Sequence, residues 1–179
     1  MNMKTYQTNN LILRPYEMND YHAWKEANLK RLPPQNAFDV GKVENLDLEY
    51  FCDFVAYLKK CAIDDKLYVF SAFDKITSEH VGIVEITILL RNGFNWGLYG
   101  VSVHNHLWGK GYGSEMTKIA DQIAKDLNLR RLEADVENGN ERSEKMLKTF
   151  GYQFEGVRKN FYFNGEKFID MNVFYKILL

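Results

Sequence analysis

An amphipathic helix that opens on glycines constrains the fold of this chain more than any other segment. Between residues 112 and 127, apolar side chains keep the spacing of one helix face. That stripe consists of Tyr112, Met116, Ile119, Ala120, Ile123, Ala124 and Leu127. Three glycines, Gly109, Gly111 and Gly113, lead into the helix and its first turn. A helix with one apolar face packs on a second layer, so the segment predicts a layered fold.

A sheet is the expected second layer. Alternating or β-branched runs predict strands at 10–16, 67–73, 80–90, 96–103 and 131–137, and Asn164–Gly165 predicts the turn of a C-terminal hairpin. Because the first of these strands meets Pro15, it is expected at the sheet edge. Caps and helical spacing predict helices from Asn19 or Asp20 to about Leu32, over 46–62 and over 138–151. This order predicts an α+β fold with helices packed on the sheet.

Size and charge limit the classes of function. The 179 residues correspond to one domain, so 1–179 is treated as a single unit. A formal charge of −1 gives no electrostatic footprint for nucleic acid or an anionic membrane, which favours a small ligand or a protein partner. The polar residues 1–10 predict no signal peptide, and the longest apolar run is far short of a membrane span. Cys52 and Cys61 are too far apart in one predicted helix to bridge, so free thiols and a cytoplasmic location are expected.

The glycines raise a question of chemistry. A helix start carries unpaired amide N–H groups and positive potential, and glycine lets a phosphate approach those amides closely. Read alone, the spacing G-x-G-x-G is equally well explained by a sharp strand-to-helix turn. The chain lacks G-x-x-x-x-G-K-[ST] and G-x-G-x-x-G, so neither of those phosphate loops applies.

Several motifs together resemble one family. The run "VSVHNHLWGKGYGSEM", then a helix, a strand, "NGNERSEKML" and "FGYQFEG", is similar to the GNAT superfamily of acyl-CoA N-acyltransferases. "WGKGYG" and the terminal "NGEKFIDMNVFY" resemble its RimJ/RimL-like branch, which acetylates ribosomal-protein N-terminal amines. Gly111 and Gly113 match the small positions of the motif Q/R-x-x-G-x-G/A, while Trp108 stands where Gln or Arg is usual. Leu98 replaces the Glu that the branch often carries, although Gly100 is retained.

The resemblance implies a fold and an acyl donor. The fold is a mixed, mostly antiparallel twisted sheet of about seven strands with about four helices. The donor is acetyl-CoA, with no metal ion. Its expected contacts are Val101, Val103, Trp108, Gly109, Lys110, Gly111, Tyr112, Gly113, Ser114 and Asn140. Amides of residues 109–114 would hold the pyrophosphate, Val101 and Val103 would pair with the pantetheine arm, and Asn140 either contacts that arm or caps the next helix.

Two residues are the candidates for catalysis. Ser143 matches the position assigned as thiolate acid in the branch, although its hydroxyl would also serve to satisfy an amide in a helix first turn. Glu85 is the only carboxylate in an apolar strand, so it is either a buried base or a strand-edge side chain that meets water or an Arg. His104 and His106 flank the loop and are interpreted as bystanders rather than metal ligands. Either Tyr99 or Tyr162 is an alternative thiolate acid.

The acceptor is expected to be a primary amine, either a protein N-terminus or a small amine. Polyamine, amino-acid and aminoglycoside acceptors stay open, as does a non-catalytic acyl-CoA-binding module. Acidic residues near the second helix, namely Asp47, Glu49, Asp53, Asp64 and Asp65, would suit a polyamine if they faced the pocket. The aromatic residues Trp24, Tyr50, Phe51, Phe54 and Tyr57 are expected in the core, or else along that pocket. The C-terminal hairpin suggests a homodimer.

Overall fold

The computed structural model describes residues 3–35, 38–39 and 43–178. Eight strands form one sheet: β1 (Tyr6–Gln7), β2 (Leu11–Arg14), β3 (Leu67–Asp74), β4 (His80–Leu90), β5 (Trp96–Val103), β6 (Arg131–Glu137), β7 (Gln153–Phe163) and β8 (Phe168–Ile177). Four α-helices accompany it: α1 (Tyr21–Leu29), α2 (Leu48–Ile63), α3 (Tyr112–Asp126) and α4 (Glu141–Thr149). This is the predicted α+β architecture, with one strand more than expected.

The strand order is β1-β2-β3-β4-β5-β6-β8-β7. Every neighbouring pair is antiparallel except β5 and β6, which run parallel. A parallel pair needs a crossover connection, and the turn, glycine loop and α3 between Val103 and Arg131 supply it. The parallel pair lies in the middle of the sheet, so the glycine loop crosses over its centre.

Each face of the sheet carries helices that bury an apolar stripe. On one face, Met116, Ala120, Ile123 and Ala124 of α3 are fully buried, which confirms the stripe predicted from the sequence. On the other face, Phe51, Val55 and Leu58 of α2 pack with Trp24 of α1. Removing a fully buried side chain such as Ile123 is expected to cost about 2–5 kcal/mol.

The position of one strand and the end of one helix differ from the sequence-based expectation. The strand predicted at the edge, β2, lies second, because the two-residue strand β1 pairs with it and covers its outer side. Helix α1 ends at Leu29 rather than near Leu32. Arg31 leaves the helix because its guanidinium binds Asp39 and His104, so a tertiary contact ends the helix before Pro33 does.

Candidate active site

The sheet splits open between its two parallel strands. The β5–β6 ladder holds only from Trp96 opposite Arg131 to Leu98 opposite Glu133. Beyond that point β5 stays paired with β4 as far as Val103, and β6 stays paired with β8 as far as Glu137. A wedge-shaped gap therefore separates residues 99–103 from residues 134–137.

Backbone groups of β5 point into this gap. The His104 N–H donates to the Val81 carbonyl over 2.9 Å, so these two residues form a hydrogen-bonded pair of the β4–β5 ladder. Such pairs alternate with non-bonded pairs along antiparallel strands. By this alternation, the N–H and C=O groups of Val103 and Val101 face away from β4, towards the gap. An extended ligand there would meet backbone donors and acceptors.

The glycine loop leaves a run of amides without partners. Gly109 and Gly111 have φ values of +86° and +85°, a backbone conformation that glycine adopts at least cost. The N–H groups of Ser114 and Glu115 both donate to the Gly111 carbonyl. Among the described residues, no hydrogen bond is made by the five N–H groups of residues 109–113. The helix dipole of α3 adds positive potential to the same place, which suits an anion.

The Trp108 side chain is hydrogen-bonded to the end of β5. Its indole Nε1–H donates to the Val103 carbonyl over 2.8 Å. The guanidinium of Arg142, from α4, lies over the indole ring, 5.2 Å from the ring centroid. Gly113 completes this region without a positive φ, and a Cβ placed there would lie 3.8 Å from the Met146 sulfur, an ordinary contact distance. The missing side chain at 113 therefore keeps space open between the loop and α4.

Helix α4 begins beside the gap. The Asn140 Oδ1 accepts a hydrogen bond from the Ser143 N–H at 3.2 Å, so Asn140 is the N-cap expected from the sequence. This bond satisfies the amide, and the Ser143 hydroxyl makes no hydrogen bond to any described residue. The hydroxyl is therefore available to a ligand. Asn140 likewise has an Nδ2 amide with no hydrogen bond in the described part of the chain.

Two cavities of about 420 Å³ each meet at the gap. The loop-side cavity lies between the glycine loop and α4, and the helix-side cavity lies beneath α1 and α2. Both are lined by Phe38, Val101, Ser102, Asn140, Ser143 and Met146. A ligand in one cavity is therefore in reach of a ligand in the other, with Ser143 between them.

The sequence profile described as "Acetyltransferase (GNAT) family" matches residues 27–152, which include the glycine loop, the gap and α4. This chain belongs to the GNAT acetyltransferase family. It is an acetyl-CoA-dependent N-acyltransferase, as GNAT enzymes are. The resemblance inferred from the loop and the α4 motif is thus confirmed at the level of the family.

Known proteins resemble it over nearly the whole chain. The "Uncharacterized N-acetyltransferase p20" of Bacillus licheniformis is 25% identical over 177 residues, which are 96% of this chain and 95% of that protein. The ribosomal-protein-S5-alanine acetyltransferase of Vibrio fischeri has a TM-score of 0.81 at 20% identity, covering 98% of this chain and 97% of that one. RimJ of Mycobacterium smegmatis, solved with CoA-disulfide, has a TM-score of 0.77 at 19% identity, covering 93% and 81%. Both structures share its fold.

In this GNAT chain, nine of the ten residues predicted to hold the donor line the loop-side cavity. They are Val101, Val103, Trp108, Gly109, Gly111, Tyr112, Gly113, Ser114 and Asn140. The tenth, Lys110, is exposed and does not line it. The amide of Ser114 is bonded to Gly111, which leaves the amides of 109–113, rather than 109–114, free for an anion.

Glu85 lies in the helix-side cavity, apart from the glycine loop. Its strand β4 is interior, so the carboxylate is not at a sheet edge, and no described residue makes an ion pair or hydrogen bond with it. Burial raises the pKa of Glu85. The side chain folds over Gly100, its partner across the strands, where an added Cβ would come within 2.8 Å of the carboxylate Oε1. Gly100 therefore provides the room that Glu85 needs.

Other expectations for this cavity are met only in part. Trp24 and Phe54 line it, whereas Phe51 is in the core, and Tyr50 and Tyr57 are exposed. The acidic residues 47, 49, 53, 64 and 65 line neither cavity. Its carboxylates come instead from β4 and β6, as Glu85, Asp135 and Glu137. All three lie on the sheet face that α1 and α2 cover, as the strand registers require.

The alternative tyrosines lie apart from each other. Tyr99 is 5% exposed, has its ring tilted against that of Tyr152 with centroids 5.4 Å apart, and lines the helix-side cavity. Burial raises the pKa of its phenol. Tyr162 is exposed on β7 and contacts Phe38 with ring centroids 4.6 Å apart. Leu98, which replaces the usual Glu of the branch, is the last β5 residue paired with β6 and faces the buried Glu133.

A buried series of side-chain hydrogen bonds beneath the helix-side cavity could not be predicted from the sequence. The Tyr16 hydroxyl lies 2.9 Å from His80 Nε2, and His80 Nδ1 lies 2.9 Å from His104 Nε2. His104 Nδ1 lies 3.1 Å from Arg31 Nη1, and Arg31 Nη2 donates to Asp39 at 2.7 Å. These partners are up to 73 residues apart in the chain, so local patterns cannot reveal them.

The chemistry of Arg31 determines which group donates and which accepts in each of these hydrogen bonds. A guanidinium only donates, so His104 Nδ1 must accept, and the proton of a neutral ring is then on Nε2. By the same logic His104 donates to His80, and His80 donates to the Tyr16 hydroxyl. Burial lowers the pKa of His80 to about 4 and that of His104 to about 2, so both rings are neutral at pH 7. His104, interpreted from the sequence as a bystander, is a fixed part of the cavity wall.

Within the described ranges, no three His, Cys, Asp or Glu side chains group as they would to hold a metal ion. Over the same residues, no helix has the length and apolar character needed to cross a membrane.

Proposed function

We propose that this GNAT enzyme transfers the acetyl group of acetyl-CoA to a primary amine by direct attack in a ternary complex. The observation that carries the proposal is the meeting of the two cavities at the gap between β5 and β6. A donor in the loop-side cavity and an amine in the helix-side cavity would have their reacting atoms beside Ser143. Holding both reactants in place is itself a large part of such catalysis.

For the donor, we propose that the pyrophosphate of acetyl-CoA rests on the amides of residues 109–113. Five unpaired N–H groups at a helix N-terminus favour negative charge there. The pantetheine arm would follow the gap and pair with Val101 and Val103 as an added strand. A backbone amide near Val103 would stabilise the oxyanion of the thioester carbonyl, and the Asn140 amide would contact the arm.

For the chemical step, we propose that Glu85 is the base and Ser143 the acid. An alkyl amine is mostly protonated at pH 7, so a proton must leave before the nitrogen can attack. Glu85 takes that proton, directly or through water, and its burial-raised pKa suits the task. The nitrogen attacks the carbonyl carbon, a C–N bond forms, and the C–S bond breaks. The Ser143 hydroxyl protonates the leaving thiolate and takes up, directly or through water, the second proton that the attacking nitrogen loses as it becomes an amide.

The acceptor is proposed to be a protein N-terminus or a small amine. Three carboxylates line the helix-side cavity, and of these Asp135 is paired with Arg158 whereas Glu85 has no ion pair with a described residue. The one lining cation among the described residues, Arg31, is bonded to Asp39. The buried Glu85 carboxylate therefore suits an amine that arrives as an ammonium ion. Polyamines, amino acids and aminoglycosides carry the same group and are compared directly in the experiment below.

The test is the release of free thiol from acetyl-CoA with a panel of amines. The panel contains peptides that begin with Ser or Ala, lysine, spermidine and an aminoglycoside. For the best acceptor, Ser143→Ala is expected to lower kcat about 100-fold while the KM for acetyl-CoA changes little. Ser143→Thr keeps the hydroxyl and is the matched control, with most activity retained.

Two outcomes would count against the proposal. Acetyl-CoA binding without turnover of any amine would favour a non-catalytic binding module. Unchanged kcat in Ser143→Ala would remove Ser143 from the mechanism and leave the transferase assignment intact.

We also infer a cytoplasmic, single-domain enzyme. Cys52 and Cys61 are both free, which agrees with a reducing compartment. A homodimer through the C-terminal hairpin stays a prediction. Its support is the set of exposed aromatic side chains Phe154, Phe161, Phe163 and Phe168, and light scattering on the purified protein tests it.

A further inference from the structure

The amides of the glycine loop face a positively charged helix across the loop-side cavity. Two cations line this cavity, Arg142 and Lys145, which lie one turn apart on α4. Neither makes an ion pair with another described residue. The loop's own cation, Lys110, is exposed and does not line the cavity. Positive side-chain charge therefore reaches this cavity from α4 and not from the loop.

Trp108 offers the cavity no side-chain donor, because its indole N–H is bonded to the Val103 carbonyl. It offers instead a π-face, over which the Arg142 guanidinium lies at 5.2 Å. Such a contact restrains the arginine side chain while leaving its N–H groups available. A guanidinium restrained in this way, with five donors in a planar fork, is well suited to phosphate oxygens.

We propose that Arg142, held on the face of Trp108, binds a phosphate group of acetyl-CoA and supplies the cation that the glycine loop does not bring to the cavity. This inference rests on the proposed donor and adds a binding residue to it. The phosphate would be contacted from two sides, by the loop amides and by α4. Acetyl-CoA carries phosphate in its pyrophosphate and at its ribose 3′ position, and the experiment separates the two.

The experiment measures the Kd of three ligands by titration calorimetry: acetyl-CoA, 3′-dephospho-acetyl-CoA and acetyl-phosphopantetheine. Arg142→Ala is expected to weaken acetyl-CoA binding about 10-fold or more, because hydrogen bonds to charged groups are among the stronger ones. Arg142→Lys keeps the charge but loses the planar set of N–H donors, so its Kd is expected to lie between those of the wild type and Arg142→Ala. If the contact is to the 3′-phosphate, the loss disappears with the dephospho ligand. If the contact is to the pyrophosphate, Arg142→Ala still weakens binding of the dephospho ligand, and it weakens binding of acetyl-phosphopantetheine by a smaller factor.

Arg130→Ala is the matched control, since it removes an exposed arginine that lines neither cavity. Its Kd for acetyl-CoA is expected to equal that of the wild type. In the Arg142→Ala background, Trp108→Arg places a guanidinium in the loop itself and is expected to recover much of the lost affinity. The melting temperature of each variant without ligand shows whether it folds.

The results separate the two proposals. If the wild type fails to bind acetyl-CoA, the proposed function is wrong. If the wild type binds and Arg142→Ala binds equally well, only the role of Arg142 is overturned. Equal losses in Arg142→Ala and Arg130→Ala would also overturn it, because the effect would then be one of net charge.

Discussion

The loop-side and helix-side cavities have the same volume and opposite chemistry. The first presents five unpaired amides together with Arg142 and Lys145. The second presents the carboxylate of Glu85, which has no ion pair with a described residue, and the charge of its arginine is met by Asp39. An anionic ligand suits one side and a cationic ligand the other. The gap between β5 and β6 thus separates two surfaces of opposite charge while letting their ligands meet.

The two cavities also differ in how they are built. Most of the loop-side cavity comes from two stretches, residues 101–114 and residues 140–150, which include α4. The helix-side cavity combines short runs, such as 99–102 and 134–137, with residues from many other elements, from Tyr16 to Leu147. A surface made from two stretches can be recognised from their motifs, and a surface assembled from distant residues cannot. The three predictions below test whether the two sides are as separate as this comparison implies.

The largest effect is expected from Glu85→Gln, on the helix side. Removing the base is expected to lower kcat about 1,000-fold, within the usual range for general base catalysis. Because burial raises the pKa of Glu85, wild-type kcat should fall as the pH drops through that value, where the carboxyl is protonated. The variant should lack this limb of the pH profile. Steady-state rates between pH 5 and 9 measure both.

Binding of acetyl-CoA should be nearly unchanged in Glu85→Gln if the two cavities are independent. Glu49→Gln, on the exposed surface of α2, is the control and should keep wild-type kcat. A weakened Kd for acetyl-CoA in Glu85→Gln would show that the two sides are coupled. A pH profile that keeps its acid limb would assign the base to another group.

On the loop side, Gly113→Val is expected to weaken acetyl-CoA binding about 100-fold, through displacement of phosphate from amides that would bind it as a charged group. The fold should tolerate the change, because the new Cβ would meet the Met146 sulfur only at 3.8 Å and φ is not positive. Calorimetry gives the Kd, and urea unfolding gives the stability. The stability of the variant should stay within about 1 kcal/mol of the wild type.

Gly156→Val is the matched control for that substitution. Gly156 lies in β7, has no atom within 4 Å of its Cβ position and lines neither cavity. Wild-type affinity in Gly113→Val would mean that the open space beside the loop is not used by the donor. A large loss of stability would mean instead that the glycine serves the turn.

The smallest effect per residue concerns the stability in acid of the buried histidines beneath the helix-side cavity. The pKa of His80 is lowered to about 4 and that of His104 to about 2, whereas an unfolded-chain histidine titrates near 6.5. Unfolding therefore takes up protons below pH 6.5, so the stabilisation is complete above that pH and is lost as the pH falls. Between pH 7 and 5, each histidine is expected to cost about 2 kcal/mol of unfolding free energy. Urea unfolding at pH 7, 6 and 5 measures the loss.

Replacing His80 and His104 by Asn should flatten that dependence, even if the variant is less stable at pH 7. His22→Asn, on the exposed side of α1, should leave the slope as it is in the wild type. If the free energy of unfolding changes with pH equally in the double variant and the wild type, His80 and His104 are not held neutral in the folded protein.

Much of the fold could be predicted because it follows local patterns. The stripe of α3 and the turn at Asn164–Gly165 each depend on neighbours in sequence, and each element formed where expected. Helix α1 ended early because Arg31 bonds to residues that are distant in the chain. The short strand β1 has only two residues, too few to show an alternating pattern, and it forms because β2 offers it an edge.

The sequence by itself determined the α+β layers, the glycine loop and the family, since helix periodicity, turn chemistry and motif spacing are all local. It also singled out Ser143 and Glu85. Only the tertiary structure decided that the sheet parts after Leu98, that Arg142 lies on Trp108, and that His80 and His104 join Tyr16 to Arg31. These features depend on strand register and on contacts between residues far apart in the chain. Packing of the whole molecule creates such contacts, and no short stretch of sequence encodes them.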